Sequence, residues 1–127
     1  MAADRRSAPA PRKLPAAFAA TALLTLWSVS ASASSGPLES FTECVANSGA
    51  VFYGAHWCPF CAKQKQTFGG FAKLLPYVEC YEPGTRNKRD ECADVGRFPT
   101  WVFPDGSTRT GALSLATIAR STGCEAP

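Results

Sequence analysis

Nowhere in the 127 residues does an apolar run reach the roughly 20 positions a helix needs to cross hydrocarbon. The longest candidate, Leu14 to Val29, is too short and carries Pro15 near its start. The chain is also too short for a second domain of ordinary size. Its 46% hydrophobic and 18% charged composition excludes a collagen-like or disordered class. No internal repeat is present, and no low-complexity tract lies outside the first 33 residues. A basic surface is missing too. The formal net charge of +3 comes wholly from Arg5, Arg6, Arg12 and Lys13 set against Asp4. Residues 34–127 balance nine basic against nine acidic side chains, which leaves no basic stripe for phosphate and excludes nucleic acid as the expected partner. Arg86 to Arg89 is a short charged cluster that reads as a solvated turn, and Gly69-Gly70 fits no phosphate-loop pattern.

What is present begins with a leader. A basic segment to Lys13 precedes the apolar stretch, and Ala31-Ser32-Ala33 supplies an A-x-A cleavage signal. The expectation is a targeting peptide over 1–33, cut after Ala33, and a soluble domain over 34–127; an uncleaved membrane anchor is the alternative. Arg5-Arg6 is similar to a twin-arginine pair, whereas the Ala/Ser-rich, acid-poor bias is shared by organelle transit peptides. The chain is therefore expected to be exported, to a bacterial periplasm or a thylakoid lumen, where disulfides form. All six cysteines lie in the second part.

Leu38, Phe41 and Val45 recur at helical spacing with Cys44 on the same face, and Gly49 ends that helix. Residues 50–55 form a short apolar run that reads as a buried strand. It leads into His56-Trp57-Cys58-Pro59-Phe60-Cys61, where Pro59 suits the first turn of a helix. That helix extends to about Leu75, with a kink or break expected at Gly69-Gly70. Residues 77–81 read as a second strand and 91–95 as one or two helical turns. Residues 100–103 and 107–110 read as a hairpin around Asp105-Gly106, and 113–122 as a closing helix. The order α-β-α-β-α-β-β-α gives an α/β domain. It implies a mixed four-stranded sheet covered by helices, its first strand pair parallel and its last antiparallel.

A C-x-x-C at a strand-to-helix junction carries chemistry. The unpaired N–H groups and dipole at the helix start favour thiolate over thiol at Cys58, and the thiolate is the nucleophile. Cys61 lies one turn further on. Cys58 is expected to be the exposed, attacking sulfur and Cys61 the partly buried resolving one, with exchange passing through a mixed disulfide. Phe60 places an apolar ring between them for contact with unfolded substrates. Trp57 reads as a wall of the site, and Phe98-Pro99 as an X-Pro bond suited to a cis turn. His56, the one histidine, is either a charged neighbour that favours the thiolate further or a solvated rim residue.

Trp57-Cys58-x-x-Cys61 after a strand, with Phe98-Pro99-Thr100-Trp101 about forty residues later, resembles thioredoxin. The longer block Tyr53 to Cys61, together with Gln64-Lys65, Leu75 to Cys80 and Phe98 to Trp101, narrows the likeness. It resembles the soluble thioredoxin-like domain attached to vitamin K epoxide reductase homologues of cyanobacteria and chloroplasts, over about residues 40–123. The resemblance implies a thioredoxin-like fold and a thiol–disulfide oxidoreductase with no cofactor or metal of its own. Disulfides would pass between client proteins bearing thiols or disulfides and a quinone-linked membrane oxidase. It further implies that Pro99 lies beside the C-x-x-C and positions substrate together with Trp57, Phe60 and Phe98. A second, structural cysteine pair matches Cys80 and Cys92.

Three features depart from the pattern. The membrane reductase domain is absent, so a vitamin K epoxide reductase-like partner would be a separate protein. Phe52 stands where thioredoxin carries a buried aspartate, which argues against efficient thioredoxin-type reduction. Cys44 and Cys124 are extra: they could pair and tie the first helix to the tail, stay free, or bridge two chains. First and last helices on opposite faces of the sheet would disfavour the pairing. Competing readings are a thiol reductase or disulfide isomerase, a purely structural disulfide scaffold, and a zinc module using Cys58, Cys61, Cys80 and Cys92.

Overall fold

A computed structural model describes residues 11–13 and 35–127. Apart from residues 11–13, the expected leader, with its cleavage point, lies outside the described residues. Helix α1 (Pro37–Asn47) leads into strand β1 (Val51–Gly54) and helix α2 (Pro59–Thr67), followed by a 3₁₀ segment over Gly69–Leu74. Strand β2 (Tyr77–Glu79) comes next, then a single 3₁₀ turn (Asp90–Cys92), strands β3 (Thr100–Val102) and β4 (Thr108–Thr110), and helix α3 (Leu115–Thr122). The sheet order is β2-β1-β3-β4. β1 runs parallel to β2 and antiparallel to β3, and β3 and β4 are antiparallel. This is the mixed four-stranded, helix-flanked α/β arrangement expected of a thioredoxin-like fold. Among the described residues no helix is long and apolar enough to cross a membrane.

Local chemistry explains the boundaries. Pro37 and Pro59 each occupy the first turn of their helix, where a missing N–H costs nothing. The break expected in the second helix occurs: α2 stops at Thr67, and Gly69 takes a φ of +53° that other residues rarely adopt. The closing helix starts two residues later than the pattern suggested, because Ser114 caps it by accepting the Thr117 N–H. The helix read over 91–95 is corrected to a 3₁₀ turn. Cys92, Ala93 and Val95 each donate to a carbonyl three residues back, the tighter pattern that short connections use.

Core residues project from alternate sheet positions. Phe52 of β1 and Trp101 of β3 are paired across the sheet, fully buried, and stacked with ring centroids 4.8 Å apart. They belong to one cluster with Phe41 and Val45 of α1, Phe68 after α2, and Ile118 and Ala119 of α3. Contributors from all three helices therefore meet one set of inward-facing strand residues. Val51, Tyr53 and Val102, on the opposite face, are only half-buried. Tyr53 and Val102 border an open groove of about 430 Å³ edged by Glu91, Asp94 and Arg97.

One buried polar side chain joins the layers. Gln64 of α2 accepts from the Trp101 indole N–H at 3.2 Å and the Leu113 N–H at 2.6 Å. Its amide donates to the Leu113 carbonyl and to Thr67 Oγ1, both at 3.1 Å. Every polar group of the side chain is satisfied, so its burial carries no orphan penalty. It fixes α2 against β3 and the segment that begins α3.

Candidate active site

The β1–α2 junction positions the cysteine pair. Gly54 ends β1 where the Tyr77 ring packs so closely that any Cβ would collide with it. The chain then turns, with the Cys58 N–H donating to the Ala55 carbonyl at 3.0 Å. Cys58 has extended backbone dihedrals at the N-cap of α2, and Pro59 opens the helix. Cys61 follows within the first turn. Both cysteines are free thiols, while the other four are paired in disulfides.

Cys58 was expected to be exposed, and here the structure corrects the sequence. Cys58 is 6% exposed and Cys61 1%, so the order of accessibility holds but neither sulfur stands open. The cause is the segment around Pro99. The Phe98–Pro99 peptide bond is cis, Pro99 is fully buried, and the Cys58 thiol donates to the Phe98 carbonyl at 3.5 Å. Burial pushes the Cys61 thiol up from its ordinary 9.0 to about 12. A backbone hydrogen bond at Ala55 opposes that rise, and hydrogen bonding to Cys58 adds to it.

A polar chain runs beside the pair. The Tyr77 hydroxyl donates to Glu79 Oε2 at 2.8 Å. Glu79 Oε1 accepts the N–H groups of His56 at 3.0 Å and Tyr81 at 3.2 Å, and His56 Nδ1 lies 3.5 Å away. Burial opposes ionisation of Glu79, but these hydrogen bonds outweigh it and hold the carboxyl below its usual range. Burial, reinforced by the hydrogen bond to Glu79, raises the Tyr77 phenol strongly. Lys65, one turn beyond Cys61 on α2, sets its ammonium 3.5 Å from the centre of the Tyr77 ring. His56 is therefore engaged with Glu79 on the site rim. Phe52 leaves no carboxylate at its own position and packs edge-on against Tyr77 at 5.1 Å.

Aromatic rings form the wall over Cys58. Trp57, Tyr81 and Phe98 meet edge to face with centroids 5.2, 5.6 and 6.4 Å apart. Trp57 is 37% exposed, and Phe60, at 59%, projects from the first turn of α2. The structure thus gathers Trp57, Cys58, Cys61, Phe98 and Pro99, with Phe60 at the open side. Cys80 and Cys92 form a disulfide with their Cα atoms 5.5 Å apart. It closes the loop that brings Tyr81 to the wall, and it removes two of the four thiolates a zinc module would need.

Cys44 and Cys124 also form a disulfide, Cα to Cα 5.9 Å, and Cys44 borders a separate cavity of about 420 Å³ with Pro37, Ser40 and Phe41. The expected separation of first and last helices is corrected, because α1 and α3 both contribute to one core cluster. Sequence reasoning did not single out Tyr81, Glu79 or Arg86. Tyr81 adjoins Cys80, which was the available signal. Arg86 was read as part of a solvated turn, yet its guanidinium sits 4.4 Å above the Trp57 ring.

No protein-family model matches the chain. Over 82 residues it is 44% identical to the thiol-disulfide oxidoreductase LTO1 of Arabidopsis thaliana, an alignment covering 59% of this chain and 21% of that protein. The chain thus matches about one fifth of the relative's length. The likeness and the site geometry together support a thioredoxin-like redox domain with a thiol–disulfide role.

Proposed function

We propose that this protein is an exported thiol–disulfide oxidoreductase that passes disulfides from a membrane quinone-linked partner, of the vitamin K epoxide reductase type, to client proteins through Cys58 and Cys61. The observation that carries the reading is the placement of Cys58 at the start of α2, its thiol against the Phe98 carbonyl at the cis-Pro99 turn, with Cys61 buried behind it. The likeness to a thiol-disulfide oxidoreductase supports the same chemistry.

In the oxidising direction a client thiolate attacks the Cys58 sulfur of the Cys58–Cys61 disulfide. That bond breaks, and its electron pair leaves on Cys61, which takes up a proton. Burial disfavours a Cys61 thiolate, so the departing sulfur is held in the folded site as the neutral thiol. A second client thiolate attacks the client sulfur of the mixed disulfide, releasing oxidised client and the Cys58 thiolate. Two electrons have entered the domain, and the membrane partner, as a two-electron acceptor, removes them. Pro99, Trp57, Phe98 and Phe60 shape the surface over which the client strand lies. Cys80–Cys92 is structural in this scheme.

The test is oxidative refolding of a reduced client with catalytic amounts of the protein and glutathione disulfide as the terminal oxidant. Refolding should accelerate, Cys58→Ser should abolish the effect, and Cys61→Ser should accumulate a mixed disulfide when offered a disulfide-bearing client. Full activity in Cys58→Ser would overturn the assignment. A reduction potential well above the roughly −270 mV of thioredoxin is expected; a value at or below it would place the chain among reductases.

A further inference from the structure

Arg86 is a cation at the rim of the site that, among the described residues, no carboxylate holds. It lies within the loop closed by Cys80–Cys92, which is an ordered hairpin. Tyr81 and Lys88 bridge antiparallel, Glu82 N–H donates to the Asn87 carbonyl at 3.0 Å, and Arg89 N–H to the Cys80 carbonyl at 2.8 Å. Several neighbouring charges have partners of their own. Glu79 is taken by Tyr77, His56 and Tyr81, and Glu82 by the Asn87 amide at 3.1 Å. Glu91 lies 3.8 Å from Arg89, and the Lys88 ammonium donates to the Ala93 and Val95 carbonyls. Among the described residues Arg86 has no carboxylate partner. Its guanidinium carbon instead lies over the ring of Trp57, the residue before Cys58, 4.4 Å from the ring centre. A guanidinium held over a ring still offers N–H groups that can take a carboxylate in two parallel hydrogen bonds.

We propose that Arg86, held on Trp57, is an anion clamp that recognises an aspartate or glutamate side chain close to the reacting cysteine of the client segment. The clamp selects clients by charge, while Trp57, Phe98, Tyr81 and the exposed Phe60 accept the apolar remainder of the segment. The proposal rests on the reading of Cys58 and Cys61 as the exchanging pair. It adds a preference that this chemistry by itself does not require.

The experiment uses the full oxidised chain and three labelled peptides that differ only in Asp, Asn or Lys two residues from a single cysteine. Second-order exchange rates should favour the Asp peptide over the Lys peptide by roughly tenfold, as expected for one charge-assisted contact. The ratio should collapse to near unity in Arg86→Gln, invert in Arg86→Glu, and shrink in high salt. Equal Asp and Lys rates in the unaltered protein would overturn the clamp, as would an undiminished ratio in Arg86→Gln. So would equal slowing of all three peptides in that variant, since Arg86 would then only prop up Trp57. The same peptides with serine in place of cysteine, followed by fluorescence anisotropy, judge the carboxylate site without the chemistry. Tighter binding of the Asp form with no exchange by any cysteine peptide would sink the oxidoreductase reading and leave the clamp standing. Equal binding of the Asp and Lys forms would count against the clamp alone.

Discussion

Cys80–Cys92 and Cys44–Cys124 are the same bond placed in two different regions, one spanning 12 positions of sequence and the other 80. The short bridge closes the loop beside the cysteine pair. It brings Tyr81 against Trp57 and Phe98, and the same loop carries Arg86 over Trp57. The long bridge joins α1 to the chain just after α3, away from the aromatic wall. In the chain-entropy account the long loop restricts the unfolded chain far more, about 4.5 kcal/mol against about 3 kcal/mol. The comparison teaches that a cross-link's contribution to stability and its contribution to function need not fall in the same place.

The most direct way to break this contrast is to open each bridge in turn. Replacing Cys44 and Cys124 together by serine should give the largest loss, about 4.5 kcal/mol, read as a lower urea midpoint. Thiol exchange by the molecules still folded should change less than twofold. Opening Cys80–Cys92 in the same way should cost less, about 3 kcal/mol, but should slow exchange roughly tenfold as the ordered wall loosens. If the ranking of the two stability losses is reversed, or if only the first variant slows exchange, the contrast fails.

A smaller effect tests whether stability can be lowered inside the domain without touching the wall. Gln64→Leu leaves the Trp101 indole N–H and the Leu113 N–H without their partner, at about 2 kcal/mol. Urea unfolding should report that loss while the reactivity of Cys58 toward a small disulfide stays within twofold.

The smallest effects come from pH. The folded dithiol form holds the Cys61 proton up to about 12, whereas the unfolded chain releases it near 9.0. The folded state therefore binds more protons between those values. This contribution is complete below about pH 9 and declines as pH rises above it. The disulfide form lacks the group, so its stability should fall less over pH 8–10 than that of the dithiol form. Glu79 acts in the opposite sense. Its lowered pKa adds stability above the ordinary carboxylate range, and that stability is lost as pH falls through the lowered value. Glu79→Gln should flatten the acid limb of the stability profile measured by urea unfolding.

Much of this could be read before any coordinates. The break at Gly69-Gly70, the Asp105-Gly106 turn, the mixed sheet and the C-x-x-C at a strand-to-helix junction follow from backbone preferences and from spacing within one segment. Other features could not be read that way. The burial of Cys58 depends on Phe98, forty residues away, folding over it. The Cys44–Cys124 bridge depends on which face of the sheet α1 and α3 choose, and periodicity tells that a helix is amphipathic but not which side of a sheet it covers. Arg86 looked solvated because a short run of charges carries no sign of the ring it will lie on.

The sequence by itself determined the C-x-x-C pair, the elements that carry it and the absence of net charge from residues 34–127. Those depend on residue chemistry and on local geometry with fixed periods. Only the tertiary structure decided how deeply Cys58 is covered, how the remaining cysteines pair and which cation faces the site. Those depend on contacts between segments far apart in the chain, where burial and partner distance, not composition, set the outcome.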